Sequence, residues 1–572
     1  MRKLLRVDMA TQTITTQDVD QSYPRAGGRG LTSAIIAAEV NCHSHALGSA
    51  NKIVIAPGLL SGTSCVNSGR LSIGAKSPLT GTIKESNVGG TAAFYLGKMR
   101  IAGIVVENRP VSDKLFCLVV TNDKAELLPA DHLRGLNNYD VVSTIKETYE
   151  NKVSIVSIGS AGENKFSNAT VAVTDIDGRP CRHAGRGGIG AVMGTKGLKA
   201  IIIDPSDAPG IPLHDKAAFK KSSQVLRSML VESEYTAPKT GEYAKYGMNL
   251  IMDTVNDLGA LPTNNYSKGQ FDGISKINGE ALYQTIKERG GKYNHSGCST
   301  CIIQCSNVYV DKKGEYVTSS LEYETLFALG SNCGIDDLDA LAQMDRMCDD
   351  FGIDTMETGC AIAVAMEAGV KSFGDAKGAI ELIHEIGKAS PMGRILSSGT
   401  EITGKVYGVE RVPVVKGQSM AGYDPRVIKG LGVTYATSTM GADHTAGFAA
   451  VFTEEDRNPT GKARMSRDCQ NLIGFIDTIG ICFAVTDVAS EDNGGIEAMV
   501  DMVNATYGWE MTMVDMIQCG KDLLKLETQF NKKVGFSAKH NRLPEFMHTE
   551  PIAPHNTVFD VSYDEIDAVF KE

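Results

Sequence analysis

The chain is expected to fold as an α+β protein, with a β-rich N-terminal part followed by a mostly helical remainder. Three observations lead there. Up to about residue 205, β-branched runs recur between glycine-rich turns: Ile53-Val54-Ile55, Ile104-Val105-Val106, Leu118-Val119-Val120 and Ile201-Ile202-Ile203. A Pro/Asp/Gly linker, Asp204-Pro205-Ser206-Asp207-Ala208-Pro209-Gly210, then interrupts the pattern. From about residue 211 the apolar spacing changes to three and four. The clearest case begins at Asp336 or Asp337 as a cap, carries Leu338, Leu341, Met344, Met347 and Cys348, and stops at Gly352. Asp354 and Glu357 then form a D-x-x-E start for the next helix, in the manner of a capping box.

Composition narrows the class. The chain has 572 residues, too many for a single core, with 42% hydrophobic and 22% charged residues, as in an ordinary globular protein. A formal charge of −11 argues against nucleic-acid partners, which need a basic surface. The 60 glycines point to backbone that comes close to a large buried ligand. Met1-Arg2-Lys3-Leu4-Leu5-Arg6 lacks the apolar core of a signal peptide, and no run approaches the ~20 apolar residues of a membrane span. A cytoplasmic protein is expected. Its 13 cysteines should then be thiols or metal ligands rather than disulfides.

A short echo links two helical regions. Asp349-Asp350-Phe351-Gly352-Ile353-Asp354 and Asp477-Thr478-Ile479-Gly480-Ile481-Cys482 share the form D-x-x-G-I-[D/C], each at an expected helix end. The two copies suggest two similar half-sites; chance explains the pattern as well, since Asp and Gly are common at helix ends.

Cys298-x-x-Cys301-x-x-x-Cys305 is the strongest local signal. Clustered thiolates select zinc or iron–sulfur over hard cations. Zinc wants a nearby fourth ligand, and beyond His295 no second C-x-x-C follows. A [4Fe–4S] cluster accepts a distant fourth cysteine, and Cys482, ending the second D-x-x-G motif, is the candidate. Iron–sulfur is therefore favoured over zinc and over free thiols. The remaining cysteines read as small buried residues.

Four segments combine glycine with arginine or asparagine: Gly27-Gly28-Arg29-Gly30, Ser68-Gly69-Arg70, Asn87-Val88-Gly89-Gly90 and Gly185-Arg186-Gly187-Gly188. None is a P-loop or a dinucleotide fingerprint. Each alone is most simply a tight turn with a surface arginine. Four in one domain favour a ligand with several phosphates, met by backbone N–H groups and guanidinium forks.

Taken in order, AGGRGL (26–31), SGRLSIGAKSPLTG (68–81), SNVGG (86–90), AGRGGIGAVMGTKGLKA (184–200), CSTCIIQC (298–305), EYETLFALGSNCGI (322–335), DDFGID (349–354), GADH (441–444) and DTIGIC (477–482) resemble the aldehyde:ferredoxin oxidoreductase family of tungstopterin enzymes. The resemblance runs to near residue 540. It implies a β-rich domain that forms the base for the cofactor, at 1–207. Two mostly helical domains, at 208–410 and 411–572, would cover it.

It also implies a tungsten bis-pyranopterin, with molybdenum an alternative because the metal ligands are pterin sulfurs. Arg70, Asn87, Gly89, Arg186 and Gly187 match pterin and phosphate contacts, and Asn87 and Gly187 match positions linked to a magnesium ion. Asp349, Gly352, Ile353 and Asp354 would grip one pterin, and Asp477, Gly480 and Ile481 the other. Cys298, Cys301, Cys305 and Cys482 match the four [4Fe–4S] ligands.

Glu324 and His444 match the carboxylate and imidazole beside the metal, where aldehyde oxidation needs a carbonyl polarised and a proton removed. Glu322 is a near neighbour able to replace Glu324, and His444 alone reads as a hydrogen-bonded core histidine. The implied activity is oxidation of an aldehyde to a carboxylic acid, with electrons passing to a ferredoxin or an iron–sulfur partner subunit. A same-family reductase of aromatic acyl thioesters and a non-catalytic iron–sulfur electron carrier are the alternatives. The chain departs from the family pattern at Gln343-Met344-Asp345-Arg346, where the archetype carries an E-x-x-H motif that binds an iron across a homodimer interface. That iron site is expected to be missing, and the homodimer loses its basis.

Overall fold

A computed structural model describes residues 2–149, 152–490 and 492–571. Each expected β-branched run lies in a strand. Strands β1 (Lys3–Asp8), β2 (Thr13–Asp18), β3 (Ile53–Pro57), β4 (Leu71–Lys76), β5 (Ile83–Val88) and β6 (Ile101–Glu107) form one sheet in the order β2-β1-β6-β3-β4-β5. Strands β7 (Phe116–Val120), β8 (Ala125–Pro129), β9 (Ser154–Ser157), β10 (Val171–Val173), β11 (Arg182–Ala184) and β12 (Leu198–Ile203) form a second, in the order β8-β7-β12-β9-β10-β11.

The two sheets have one topology. β1–β6 and β7–β12 are the parallel pairs, and every other pairing is antiparallel. A helix follows the second strand of each, Gly28–Glu39 and Asn138–Thr148, and another precedes the last strand, Ala92–Lys98 and Ile189–Thr195. The N-terminal part is thus a duplicated unit.

Alternation along the strands explains the layering. Leu5, Val7, Ile53, Ile55, Ile104 and Val106 turn inward against Phe116, Leu118, Val156, Ile201 and Ile203, forming the core between the sheets. Leu4, Val54 and Val105 turn the other way onto Leu31, Ile35 and Ile36 of the first helix. On the far side, Val119, Ile155 and Ile202 pack on Val141, Val142 and Ile145. The result is a helix–sheet–sheet–helix sandwich.

Beyond the linker, helices dominate. Leu338–Phe351 starts at Asp337, whose side chain accepts from the N–H groups of Asp339 and Ala340, and ends at left-handed Gly352 (φ 73°). Thr355–Glu367 starts at Asp354, whose side chain accepts from Met356 N–H. The expected capping box is only half made. Glu357 turns into the protein, where its oxygens accept from Thr400 N (2.8 Å) and Ser419 N (2.9 Å). A three-stranded sheet, Lys292–His295, Ser306–Val310 and Tyr316–Ser319, interrupts the helical region and carries the C-x-x-C-x-x-x-C loop between its first two strands. One large core joins residues from Met252 to Ala442 with the C-terminal Leu543–Val569, and another joins Phe219, Leu226 and Leu230 to Phe475–Met516. Among the described residues no helix is long and apolar enough to cross a membrane.

Two helix ends stop against equivalent points of the duplicated sheets. The helix Lys462–Ile479 ends at Gly480 (φ 80°), whose carbonyl accepts from Arg70 N–H at 3.3 Å. The Gly352 carbonyl accepts from Thr170 N–H at 2.8 Å. Arg70 and Thr170 immediately precede β4 and β10. Gly58 and Gly159 make room: a Cβ on Gly58 would lie 2.2 Å from Gly480 Cα, and one on Gly159 2.3 Å from the Phe351 carbonyl oxygen. Gly58→Ala and Gly159→Ala should therefore each cost about 3 kcal/mol through overpacking against rigid backbone. Gly369→Ala, with positive φ (81°) but nothing within 4 Å, should cost only about 1 kcal/mol. Denaturant midpoints of the three variants check this order.

Candidate functional site

Between the sheets' open ends and the helical part lies a cavity of about 330 Å³. Arg70, Asn87, Gly89, Arg186, Glu324, Asp349, Ile353, Asp354, His444, Asp477 and Ile481 all line it. Gly352 and Gly480 stand behind it as the helix stops described above. Gly187 (φ 84°) also stands behind the wall, where its carbonyl accepts from the Ser77 hydroxyl at 2.7 Å.

From the first sheet, Arg70 Nε donates to Asn87 Oδ1 at 2.5 Å, and Asn87 Nδ2 donates to Asp477 Oδ1 at 3.4 Å. From the second, Arg186 is held by Asp354 (3.3 Å), the Ala442 carbonyl (2.9 Å) and Ser419 (2.7 Å to Oγ), with Glu357 at 3.5 Å. It fastens the D-x-x-G-I-D turn to the segment before His444. Arg29, in the first glycine-arginine segment, is not free for a phosphate. Its guanidinium grips Glu527 at 3.0 and 2.9 Å and reaches Asp477 at 3.4 Å.

The cavity is rich in carboxyl groups with perturbed titration. Burial, then the Asp477 charge, pushes Glu85 up to about 8. Burial pushes Asp477 and Asp354 up to about 6 against their arginines, and Asp349 well above the ordinary range. Asp443 goes the other way: burial, the largest single influence, would raise it, but Lys84 at 2.9 Å, Arg186 and His444 together outweigh that and hold it well below. Polar atoms without a hydrogen-bond partner gather on this wall: Arg182 Nε and Nη2, Glu322 Oε2, Glu324 Oε1, Asp349 Oδ2 and His444 Nδ1. Buried donors and acceptors left open cost on the order of 1–3 kcal/mol each, so their convergence fits a polar, hydrogen-bonding ligand.

His444 and Glu324 meet at one wall, with Nε2 3.3 Å from Oε1. The other Glu324 oxygen accepts from Gly422 N–H at 3.0 Å. Burial raises the Glu324 carboxyl above its ordinary value, opposed by His444. Glu324 is the middle residue of a short helix, Tyr323–Thr325, that widens into a π-turn over Leu326–Gly330, a local geometry common at functional sites. Tyr423 and Phe448 flank the imidazole at 5.5 and 6.0 Å between ring centres, and Phe483 continues the aromatic wall. Glu322 faces Arg182 at 3.4 Å instead, so the two neighbouring acids are separated by function of place.

The cysteine loop lies under the first sheet. A Cβ on Gly89 would sit 2.3 Å from Cys298 Sγ and 3.2 Å from Arg70 Nη1, so only glycine permits the approach. Asn67 joins the two cysteine segments: its carbonyl accepts from Cys482 N–H (2.8 Å), its Oδ1 from Ile302 N–H (3.2 Å), and its Nδ2 points at Cys301 Sγ (3.7 Å). Burial pushes Cys301 up to about 12 and Cys305 well above the usual thiol range. Such thiols ionise only beside a strong positive charge, which a metal supplies. Among the described residues no three of the four sulfurs lie within 4.8 Å of one another. Four sulfurs around one zinc, at ~2.3 Å each, would be only ~3.8 Å apart. The four sulfurs are thus not gathered as closely as a single zinc would hold them. Of the other cysteines, Cys65, Cys117, Cys181, Cys333, Cys348 and Cys360 are buried as expected, while Cys42, Cys469 and Cys519 are half-buried.

Two domain models, described as the aldehyde ferredoxin oxidoreductase N-terminal domain and its domains 2 and 3, match residues 4–205 and 225–571. The chain belongs to the aldehyde ferredoxin oxidoreductase family. The tungsten-containing aldehyde ferredoxin oxidoreductases of Thermococcus kodakarensis and Pyrococcus furiosus are each 32% identical, over 96% of this chain and 92% of theirs. The WOR-like subunit of an aliphatic sulfonate oxidoreductase from Pyrococcus furiosus is 25% identical over 89% of this chain and 82% of its own. A solved structure, the active-site complex BamBC of benzoyl coenzyme A reductase with 1,5-dienoyl-CoA, shares the fold at a TM-score of 0.80 and 18% identity, covering 100% of this chain and 94% of that one.

Gln343–Arg346, where the sequence departs from the expected family motif, lies within the helix Leu338–Phe351. Asp345 accepts from the Thr318 hydroxyl at 2.7 Å and faces the cavity, and Arg346 lies over the Tyr139 ring. Several lining residues carried no sequence signal: Arg182, His183 and Glu85 lie outside any recognisable motif and become site residues only through the fold. Arg29 and Glu527, 498 positions apart, are similar. Arg29→Met should leave a buried carboxylate unpaired and cost about 3–5 kcal/mol. The double variant R29M/E527M should recover most of that loss, as thermal or denaturant unfolding will show.

Proposed function

We propose that this chain oxidises aldehydes to carboxylic acids, with a tungsten bis-pyranopterin in the cavity and a [4Fe–4S] cluster on Cys298, Cys301, Cys305 and Cys482. The Glu324–His444 pair at the cavity wall carries this reading, and two relatives named as tungsten-containing aldehyde enzymes at 32% identity support it. Arg70, Asn87 and Gly89 on one side and Arg186 and Gly187 on the other would serve the phosphates, with magnesium between them near Asn87 and Gly187. The two D-x-x-G-I turns would hold one pterin each: Asp349, Gly352, Ile353 and Asp354 on one side, Asp477, Gly480 and Ile481 on the other. When bound, the metal centre supplies two-electron redox chemistry at the carbonyl carbon. Tungsten follows the relatives; molybdenum suits the same protein residues.

The protein's own groups do the rest. His444 hydrogen-bonds the carbonyl oxygen or passes a proton. Glu324, one oxygen pinned by Gly422 N–H and the other 3.3 Å from His444 Nε2, accepts the proton of water or of the collapsing adduct. Tyr423, Phe448 and Phe483 keep water scarce and favour aldehydes with apolar or aromatic bodies. No further ferredoxin-like cysteine set follows Cys305. Electrons would therefore leave to a ferredoxin or a separate iron–sulfur subunit.

Glu324→Gln should keep metal and iron but cut turnover by roughly 10²–10⁴. Wild-type-like turnover would remove Glu324 from the chemistry. Because burial raises the Glu324 carboxyl, its ionised form gains as pH rises through that raised value, so kcat/KM should climb on the acid side and lose this limb in the Gln variant. Cys482→Ser should lower bound iron per chain, whereas Cys65→Ser, whose thiol faces the Val66 carbonyl, should not.

A further inference from the structure

The two half-sites are built at equivalent positions but not from equivalent residues. In the first sheet Ser72 pairs with Asn87, and in the second Ala172 pairs with His183. Arg70 and Thr170 each lie two residues before those strand positions, and each donates its N–H to the glycine of a D-x-x-G turn. The register thus makes His183 the mate of Asn87, Thr170 the mate of Arg70, and Asp349 the mate of Asp477.

The contacts run in parallel. In the first half-site Arg70 holds Asn87 (2.5 Å), which faces Asp477 (3.4 Å). In the second, the Thr170 hydroxyl meets His183 Nδ1 (2.7 Å), and His183 Nε2 faces Asp349 Oδ1 (3.1 Å) and the Pro180 carbonyl (3.1 Å). A carbonyl and a carboxyl oxygen both face Nε2, so the proton belongs there and Nδ1 accepts from Thr170. Burial, the largest influence, keeps this imidazole neutral, holding it down at about 4. Asp349 Oδ2 stays unpartnered on the cavity side. The first half-site therefore sets an arginine-held amide against its aspartate, and the second a neutral imidazole of set tautomer, with the charges of Arg346 and Arg182 also reaching Asp349.

We propose that His183 is the positioning residue of the second half-site, fixing Asp349 so that its free oxygen accepts from the N–H edge of the second pterin. This inference rests on the cofactor reading above. Asn87 does the same for Asp477 in the first half-site. The two pterins would then meet equivalent aspartates whose positioning residues differ, an amide held by Arg70 in one half-site and an imidazole held by Thr170 in the other.

The test compares the wild type with H183L and H183N, all purified without oxygen, by pterin, tungsten and iron per chain. H183L removes the N–H and should lose at least half of the pterin and tungsten while keeping its iron. H183N restores a short donor of the kind used at Asn87 and should return both toward wild-type levels. Full pterin in H183L, or the same loss in H183N as in H183L, would overturn the inference. If H183L also loses its iron, and so has not folded, H183N decides alone: retained pterin supports the inference and lost pterin overturns it. A wild type with iron but no pterin would instead overturn the cofactor reading, and this inference with it.

Discussion

Two helix ends hold the site together. At each, a left-handed glycine stops a long helix, its carbonyl takes one N–H from a sheet, and a second glycine on that sheet lets the backbones meet. The last helical turn delivers an aspartate to the cavity wall, and the residue after the glycine delivers an isoleucine. Asp349 and Ile353 arrive from one helix, and Asp477 and Ile481 from the other. Because the sheets are two copies of one topology, the helix ends come to equivalent places. Each contact therefore fixes the helix end that carries an aspartate of the wall.

Charge then defines what the cavity accepts. Glu85, Asp349, Asp354 and Asp477 are buried and pushed toward the protonated form, while Arg29, Arg70 and Arg186 cross between them. Such groups are expensive to bury unless they meet partners. Some partners are internal, as for Arg29 with Glu527. Others have one atom paired and another open, as Arg182, Asp349 and His444 do. The open set is mixed in sign and turned inward, which suits a ligand with ring N–H groups and phosphates better than an apolar one. Family membership and the two aldehyde relatives point the same way.

Local rules made some of this legible in the residues. β-branched runs mark strands because pleated, buried surfaces favour them, and Asp337 with Gly352 brackets a helix whose apolar stripe is plain. The Gly-and-Arg segments and the cysteines stood out by spacing. The duplication did not, since its mates share geometry and not identity: Arg70 with Thr170, Asn87 with His183. Lys292–His295 is too polar to read as a strand, yet it enters a sheet by pairing with Ser306–Val310. Glu357 obeyed the capping pattern in sequence, but the buried N–H groups of Thr400 and Ser419 compete better for it. Arg29 looked like a phosphate ligand until Glu527, from the far end of the chain, took its guanidinium.

The most direct test of the account is metal analysis of protein purified without oxygen, together with a dye-linked assay on simple aldehydes. The account predicts tungsten, or molybdenum in its place, near one per chain, with about four irons, and dye reduction by aldehydes. Iron without either metal, in protein that does not oxidise aldehydes, would contradict it.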